Sequence, residues 1–235
     1  MDAPWRKLDA AGQEALTTYL EGFATPERCE RMRDVLSRRI GNLRVVLEDL
    51  QDPHNSSACL RTTEIFGLQH LYNIQNLYKF YINRDVAMGA HKWLTLHRYS
   101  RRQQDNTTAC LEELKGQGFT IVAAALAEDS VSLYDLPVDR PLAICFGNER
   151  NGLSPRALEL ADVTMQIPML GFTQSFNISV SVALTLQELT RRIRLGTGWE
   201  LPADEQRETY LAWLSKTIPR PELHMRAFFN ARASA

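Results

Sequence analysis

Residues 168–180 read PMLGFTQSFNISV, and the reading of that stretch decides the fold. It follows VTMQIP (163–168), which reads as a strand, and leads into FNISVSVALTLQELTRRIRLG (176–196), which has helical periodicity. Between strand and helix stand Pro168, Gly171, Gln174, Ser175 and Asn177. A plain strand-to-helix connection needs none of these amide and hydroxyl groups. Irregular buried backbone does need partners, from side chains or from a ligand. Phe176, Ile178 and Val180 sit among the polar residues and are expected to be buried. The stretch therefore reads as a functional loop at the start of a core helix.

Upstream, LRVVLEDL (43–50), HLYNI (70–74), FTIVAAA (119–125) and PLAICFG (141–147) read as strands. The last two lack alternation, as expected when both sheet faces are covered. Helices interleave with them. NSSACLRTTEIFG (55–67) has Asn55 or Ser56 as its expected cap and Gly67 as its stop. DNTTACLEELKGQG (105–118) and SPRALELA (154–161) follow, the latter with Ser154 as cap and Pro155 in its first turn. A polar loop runs from HLYNI to AHKWLTLHRY (90–99). Strands alternating with helices imply an α/β fold, a mostly parallel sheet flanked by helices. At the ends, LDAAGQEALTTYLEGF (8–23), TPERCERMRDVLSRRIGN (25–42) and DEQRETYLAWLSK (204–216) read as helices. PRPELHMRAFFNARASA (219–235) reads as a Pro-broken basic tail. The expected organisation is a basic helical extension (1–40), an α/β domain (41–195) and a C-terminal helix with its tail (196–235).

The 235 residues carry a net charge of −1, so an anionic partner must be met by local patches. Two such patches are Arg28, Arg31, Arg33, Arg38 and Arg39 near the N-terminus and Arg191, Arg192 and Arg194 after the long helix. No apolar run approaches the ~20 residues of a membrane span, and MDAPWRKLDA lacks a signal-peptide core. Cys29, Cys59, Cys110 and Cys145 form no C-x-x-C pair and read as reduced thiols, so a cytoplasmic protein is expected. The histidines show no zinc spacing, and no metal is expected. GNERNG (147–152) lacks the ending of a P-loop, and neither G-x-G-x-x-G nor G-x-S-x-G occurs in the required context.

In open α/β sheets, ligands sit at the carboxyl ends of strands. Three loops expected there are unusual: DPHNSSACLRT (52–62), FGNERNGL (146–153) and IPMLGFTQSFNISVS (167–181). Together, in order and spacing, they resemble the three motifs of the SpoU/TrmH group of SPOUT RNA 2′-O-ribose methyltransferases. DPHNSSA looks most like the branch that methylates tRNA guanosine. The resemblance runs from about residue 26 to about 215 and takes in HKW (91–93) and Trp213.

The resemblance implies a deep trefoil knot threaded by the third motif, with S-adenosylmethionine held bent in its loops. It also implies a homodimer formed through the knot region and a tRNA substrate, most specifically guanosine 18 in the D-loop. Another tRNA position, ribosomal RNA, or a non-catalytic RNA-binding role are the alternatives. Carried over residue by residue, Arg61 would orient the ribose hydroxyl and bind the neighbouring phosphate. A guanidinium rarely gives up its proton and is a poor base. Asn55, Glu149, Ser175 and Asn177 would complete the catalytic set. Ala124, Gly147, Ile167, Leu170, Ser175 and Phe176 would line the cofactor pocket, and Arg28, Arg31, Arg38, His91 and Lys92 would contact RNA. Ala124 departs from the Thr usual in that group, and Ala90 replaces the usual Ser before the His.

Overall fold

The computed structural model describes residues 3–233. Along the chain run α1 (Ala10–Glu21), α2 (Pro26–Leu36), β1 (Leu43–Glu48), α3 (Pro53–Ile65), β2 (His70–Ile74) and α4 (Arg84–Ala87). Then come β3 (Thr95–Tyr99), α5 (Asn106–Gly116), β4 (Thr120–Ala124), β5 (Val131–Ser132) and β6 (Leu142–Phe146). The rest is α6 (Pro155–Leu160), β7 (Val163–Gln166), α7 (Ile178–Ile193), α8 (Ala203–Thr217) and α9 (Pro221–Ala233). The chain divides into two compact units. One is helical and combines the segment up to Arg39 with that from Glu200 onward; the other is α/β, Ile40–Trp199.

The α/β unit is built on a seven-stranded sheet in the order β3-β2-β1-β6-β4-β7-β5, with every pairing parallel. Every residue of β1 and β6 is buried. Successive side chains point to opposite faces of a strand. Val45 and Leu47 accordingly join one core cluster with Leu60 of α3 and Leu186 of α7. Val46 joins the other, with Leu111 and Leu114 of α5 and Ala157 of α6. Helices on both faces are the reason β6 reads as an apolar run without alternation.

Three local expectations are corrected. Asp52, not Asn55 or Ser56, caps α3; its carboxylate accepts from His54 N at 2.8 Å, and Pro53 starts the helix. Asn55 therefore lies inside the first turn with its amide available for other partners. The long helix starts at Ile178 with Asn177 as its cap, leaving Phe176 outside. The segment 219–235 is not a broken tail, since its described part contains α9 from Pro221. Proline breaks helices from within but suits their first position.

In the helical unit, α8 packs against α1 and α2. Leu16, Leu20, Met32, Leu36, Leu211 and Leu214 are buried there. Arg39 is also buried, its guanidinium 5.2 Å from the Trp213 ring centroid. Tyr210 Oη donates to Glu21 at 2.6 Å, and Glu21 is paired with Arg33.

Candidate active site

Four adjacent strands, β1, β6, β4 and β7, send their following segments to one cavity of ≈510 Å³. Asn55, Ala124, Gly147, Glu149, Ile167, Ser175, Phe176 and Asn177 all line it. Sheet order, not sequence proximity, brings them together. Gly147 is where the β6 loop doubles back: a Cβ there would overlap the backbone of Gly152 and Leu153. Asn148 and Gly152 exchange backbone hydrogen bonds, both 2.9 Å. Buried Asn148 donates from Nδ2 to Asp49 O at 2.7 Å, which staples this loop to the end of β1. Buried Glu48 anchors the next layer, accepting from Ser154 N and Oγ at 2.8 Å each and from Thr107 Oγ1 at 2.5 Å.

A continuous hydrogen-bond chain joins the three motifs. The Glu149 carboxylate accepts from Gln51 N at 3.1 Å, Asp52 N at 3.3 Å and Asn55 Nδ2 at 3.1 Å. Asn55 Oδ1 accepts from Asn177 Nδ2 at 3.1 Å. Asn177 Oδ1 accepts from Ser179 N at 2.8 Å and Ser179 Oγ at 2.6 Å. Each amide has one donor and one acceptor direction in use, so the chain fixes the orientation of both asparagines. Beneath it, burial pushes the Cys59 thiol up to about 12, and the charge of Glu149 adds to the shift.

Other expected residues lie elsewhere. Arg61 is exposed on α3, six residues beyond Asn55, and does not line the cavity. Leu170 is fully exposed and Met169 lines the cavity instead, because adjacent residues of an extended segment face opposite ways. Of the three apolar residues expected to be buried, only Ile178 is; Phe176 is 43% exposed and Val180 42%. In the helical unit Arg31 and Arg38 both pair with Asp34, and Arg28 is exposed. His91 and Lys92 lie in a 3₁₀ turn, Ala90–Lys92, with Lys92 exposed and His91 half-buried. Arg192 has a structural use. It donates to the carbonyls of Leu133 (3.3 Å), Tyr134 (3.1 Å) and Leu136 (2.7 Å).

The sequence reading missed Arg150 and Asn148. Arg150 is the one basic side chain among the cavity-lining residues described. Both sit inside GNERNG, so the motif pointed to their place but not their partners.

Fold and cavity define a parallel α/β protein with an open cavity at the carboxyl ends of its central strands. The chain belongs to the SpoU rRNA methylase family, whose model matches residues 42–187. It is 40% identical over 175 residues to a tRNA (guanosine(18)-2′-O)-methyltransferase of Borreliella burgdorferi, covering 74% of this chain and 78% of that protein. The enzyme of the same description from Thermus thermophilus is 37% identical over 174 residues, covering 74% of this chain and 87% of the relative. Among solved structures, the Aquifex aeolicus TrmH/SpoU tRNA modifying enzyme superposes with a TM-score of 0.72 at 32% identity. That match covers 83% of this chain and 98% of the other.

Proposed function

We propose that this protein transfers a methyl group from S-adenosylmethionine to a ribose 2′-hydroxyl of tRNA, at guanosine 18 of the D-loop. The observation that carries the reading is the hydrogen-bond chain Glu149–Asn55–Asn177, which ties all three motifs to one cavity. The cavity suits the cofactor. Its walls include apolar Ala124, Phe146, Ile167 and Ile178, its loops offer backbone groups, and its charged lining residues are one acid, Glu149, and one base, Arg150. S-adenosylmethionine, when bound, supplies an electrophilic methyl on a sulfonium.

The rest is done by this chain. Gly147, Ile167, Ser175 and Phe176 hold the cofactor, with Ala124 at the end of β4 as an apolar contact. Glu149, Asn55 and Asn177 fix the geometry of the cavity mouth. Arg61 binds the phosphate next to the target and orients its 2′-hydroxyl. His91 and Lys92 contact the RNA nearby, and Arg28, Arg31 and Arg38 of the helical unit add phosphate contacts. The site works in the cytoplasm.

The third motif, 167–181, forms a deep trefoil knot in this reading, and the protein is a homodimer through that region. Support for the dimer comes from Leu170 and Phe172, fully exposed, and from Phe176, Val180 and Leu184, all about two-fifths exposed. So much apolar surface on one segment calls for a partner. Sedimentation should give twice the 26.8 kDa chain mass. A fully active monomer would remove the dimer.

The test of function is incubation with methyl-labelled S-adenosylmethionine and an unmodified tRNA transcript, followed by nuclease digestion. Label should appear in 2′-O-methylguanosine. Label in a methylated base, or none, would refute the reading.

A further inference from the structure

The segment after β2, residues 75–89, is held by side chains of the elements around it. Asp49, at the end of β1 and in a left-handed conformation (φ 53°), accepts three successive backbone N–H groups with one carboxylate oxygen. These are Asn76 at 2.7 Å, Leu77 at 2.8 Å and Tyr78 at 3.2 Å. Gln75 Oε1 accepts from Phe80 N at 3.1 Å. Ser57 Oγ of α3 accepts from Asn83 N at 2.8 Å, and Asn83 in turn caps α4. Phe80 is buried in the core.

What this fixed segment presents to solvent is unusual. Around buried Phe80, the neighbours Lys79 and Tyr81 are both exposed, Tyr81 by 59%. In an extended run, residues on either side of a buried one share the opposite face. Leu77 (75% exposed) precedes them and exposed Arg84 follows on α4. The segment is anchored both to Asp49 just after β1 and to α3, which carries Asn55 and Arg61. An ordinary surface loop has no need to hold a bare tyrosine between two cations so firmly.

We infer that Tyr81, flanked by Lys79 and Arg84, is a stacking platform for an unpaired base of the RNA substrate, with the two cations on the adjoining phosphates. Sequence-tolerant stacking on an aromatic face beside a basic track is how single-stranded nucleic acid is held. Loop nucleotides, whose bases can be splayed out, are the part of an RNA open to such contact. Polypeptide partners are disfavoured because two cations flank Tyr81 in the sequence and the one acid in the stretch 76–89 is Asp85. The inference rests on the methyltransferase reading above.

The test uses the full-length protein and an unmodified tRNA transcript, with the dissociation constant measured over a range of salt. Tyr81→Ala should weaken binding roughly 5- to 150-fold, the range for loss of one stacked base, while Tyr81→Phe stays close to wild type. Lys79→Ala and Arg84→Ala should each lower the salt slope by about 0.7–0.9. Calorimetric affinity for S-adenosylmethionine should be unchanged in all four variants, which shows that the cavity is intact. Equal tRNA affinity for Tyr81→Ala and wild type would overturn the platform and leave the enzyme reading standing. Wild-type protein that binds no tRNA would overturn both.

Discussion

Asn55, in the first turn of α3, and Asn177, the cap of α7, stand 122 residues apart in sequence and share a hydrogen bond of 3.1 Å. That bond and the one from Asn55 to Glu149 are what make three separated loops one site. The arrangement depends on Asn55 being donor and acceptor at once, a property of an amide that a carboxylate lacks. Asn55→Asp should therefore set two carboxylates against each other. The expected loss is on the order of 1 kcal/mol, or about 2–4 °C in melting temperature for a chain of this size. A melting temperature equal to wild type at neutral pH would show that the bond contributes nothing.

Arg61→Ala should abolish methyl transfer and spare cofactor binding. Arg61 is exposed and outside the cavity lining, whereas the proposed cofactor contacts are all inside it. A group that orients the nucleophile acts mainly in the transition state. Its loss should slow single-turnover transfer on the order of a thousandfold, with calorimetric affinity for S-adenosylmethionine unchanged. Near-normal turnover would return Arg61 to an ordinary surface cation.

Arg192 looks like an RNA contact in the sequence, one of three arginines ending the long helix. In the structure it closes over the 133–136 turn through three carbonyls. Arg192→Ala should cost about 1.5–3 kcal/mol of stability, the range for hydrogen bonds to a charged group, read by denaturant unfolding. The salt slope of tRNA binding should not change. A reduced slope at wild-type stability would reverse this assignment.

Cys59, Cys110 and Cys145 are buried thiols, all with pKa values pushed up chiefly by burial. Cys59 moves from an ordinary 9.0 to about 12. The folded state thus keeps its proton at a pH where the unfolded chain loses it. This contribution is fully present below pH 9 and is lost as pH rises toward about 12. Melting temperature should fall above pH 9, and Cys59→Ala should flatten part of that fall. Thiol reagents should reach these three residues only after unfolding. A melt unchanged through this pH range would contradict the account.

The central strands were legible because both faces of the sheet are covered, which gives β4 and β6 apolar runs without alternation and β1 the apolar stretch Val45–Leu47. Edge strand β3, TLHRY, carries polar residues and is assigned no element from sequence, and β5 has only two residues. Motif residues such as Glu149 and Asn177 could be placed at strand ends by spacing. Their hydrogen bonds to Asn55 could not, since these depend on the order β1-β6-β4-β7 and on Asp52 taking the cap and releasing Asn55. The exposure of Leu170, Phe172 and Val180 was equally hidden, because apolar character reports a preference for burial and not the surface that satisfies it.

The most direct measurement compares two tRNA transcripts that differ by one oxygen. One carries guanosine 18, the other 2′-deoxyguanosine 18, and both are incubated with wild-type protein and methyl-labelled S-adenosylmethionine. The account predicts label on the ribose transcript and none on the deoxy one, with both bound to a similar extent. Equal labelling of the two would place the methyl on another atom and contradict the account.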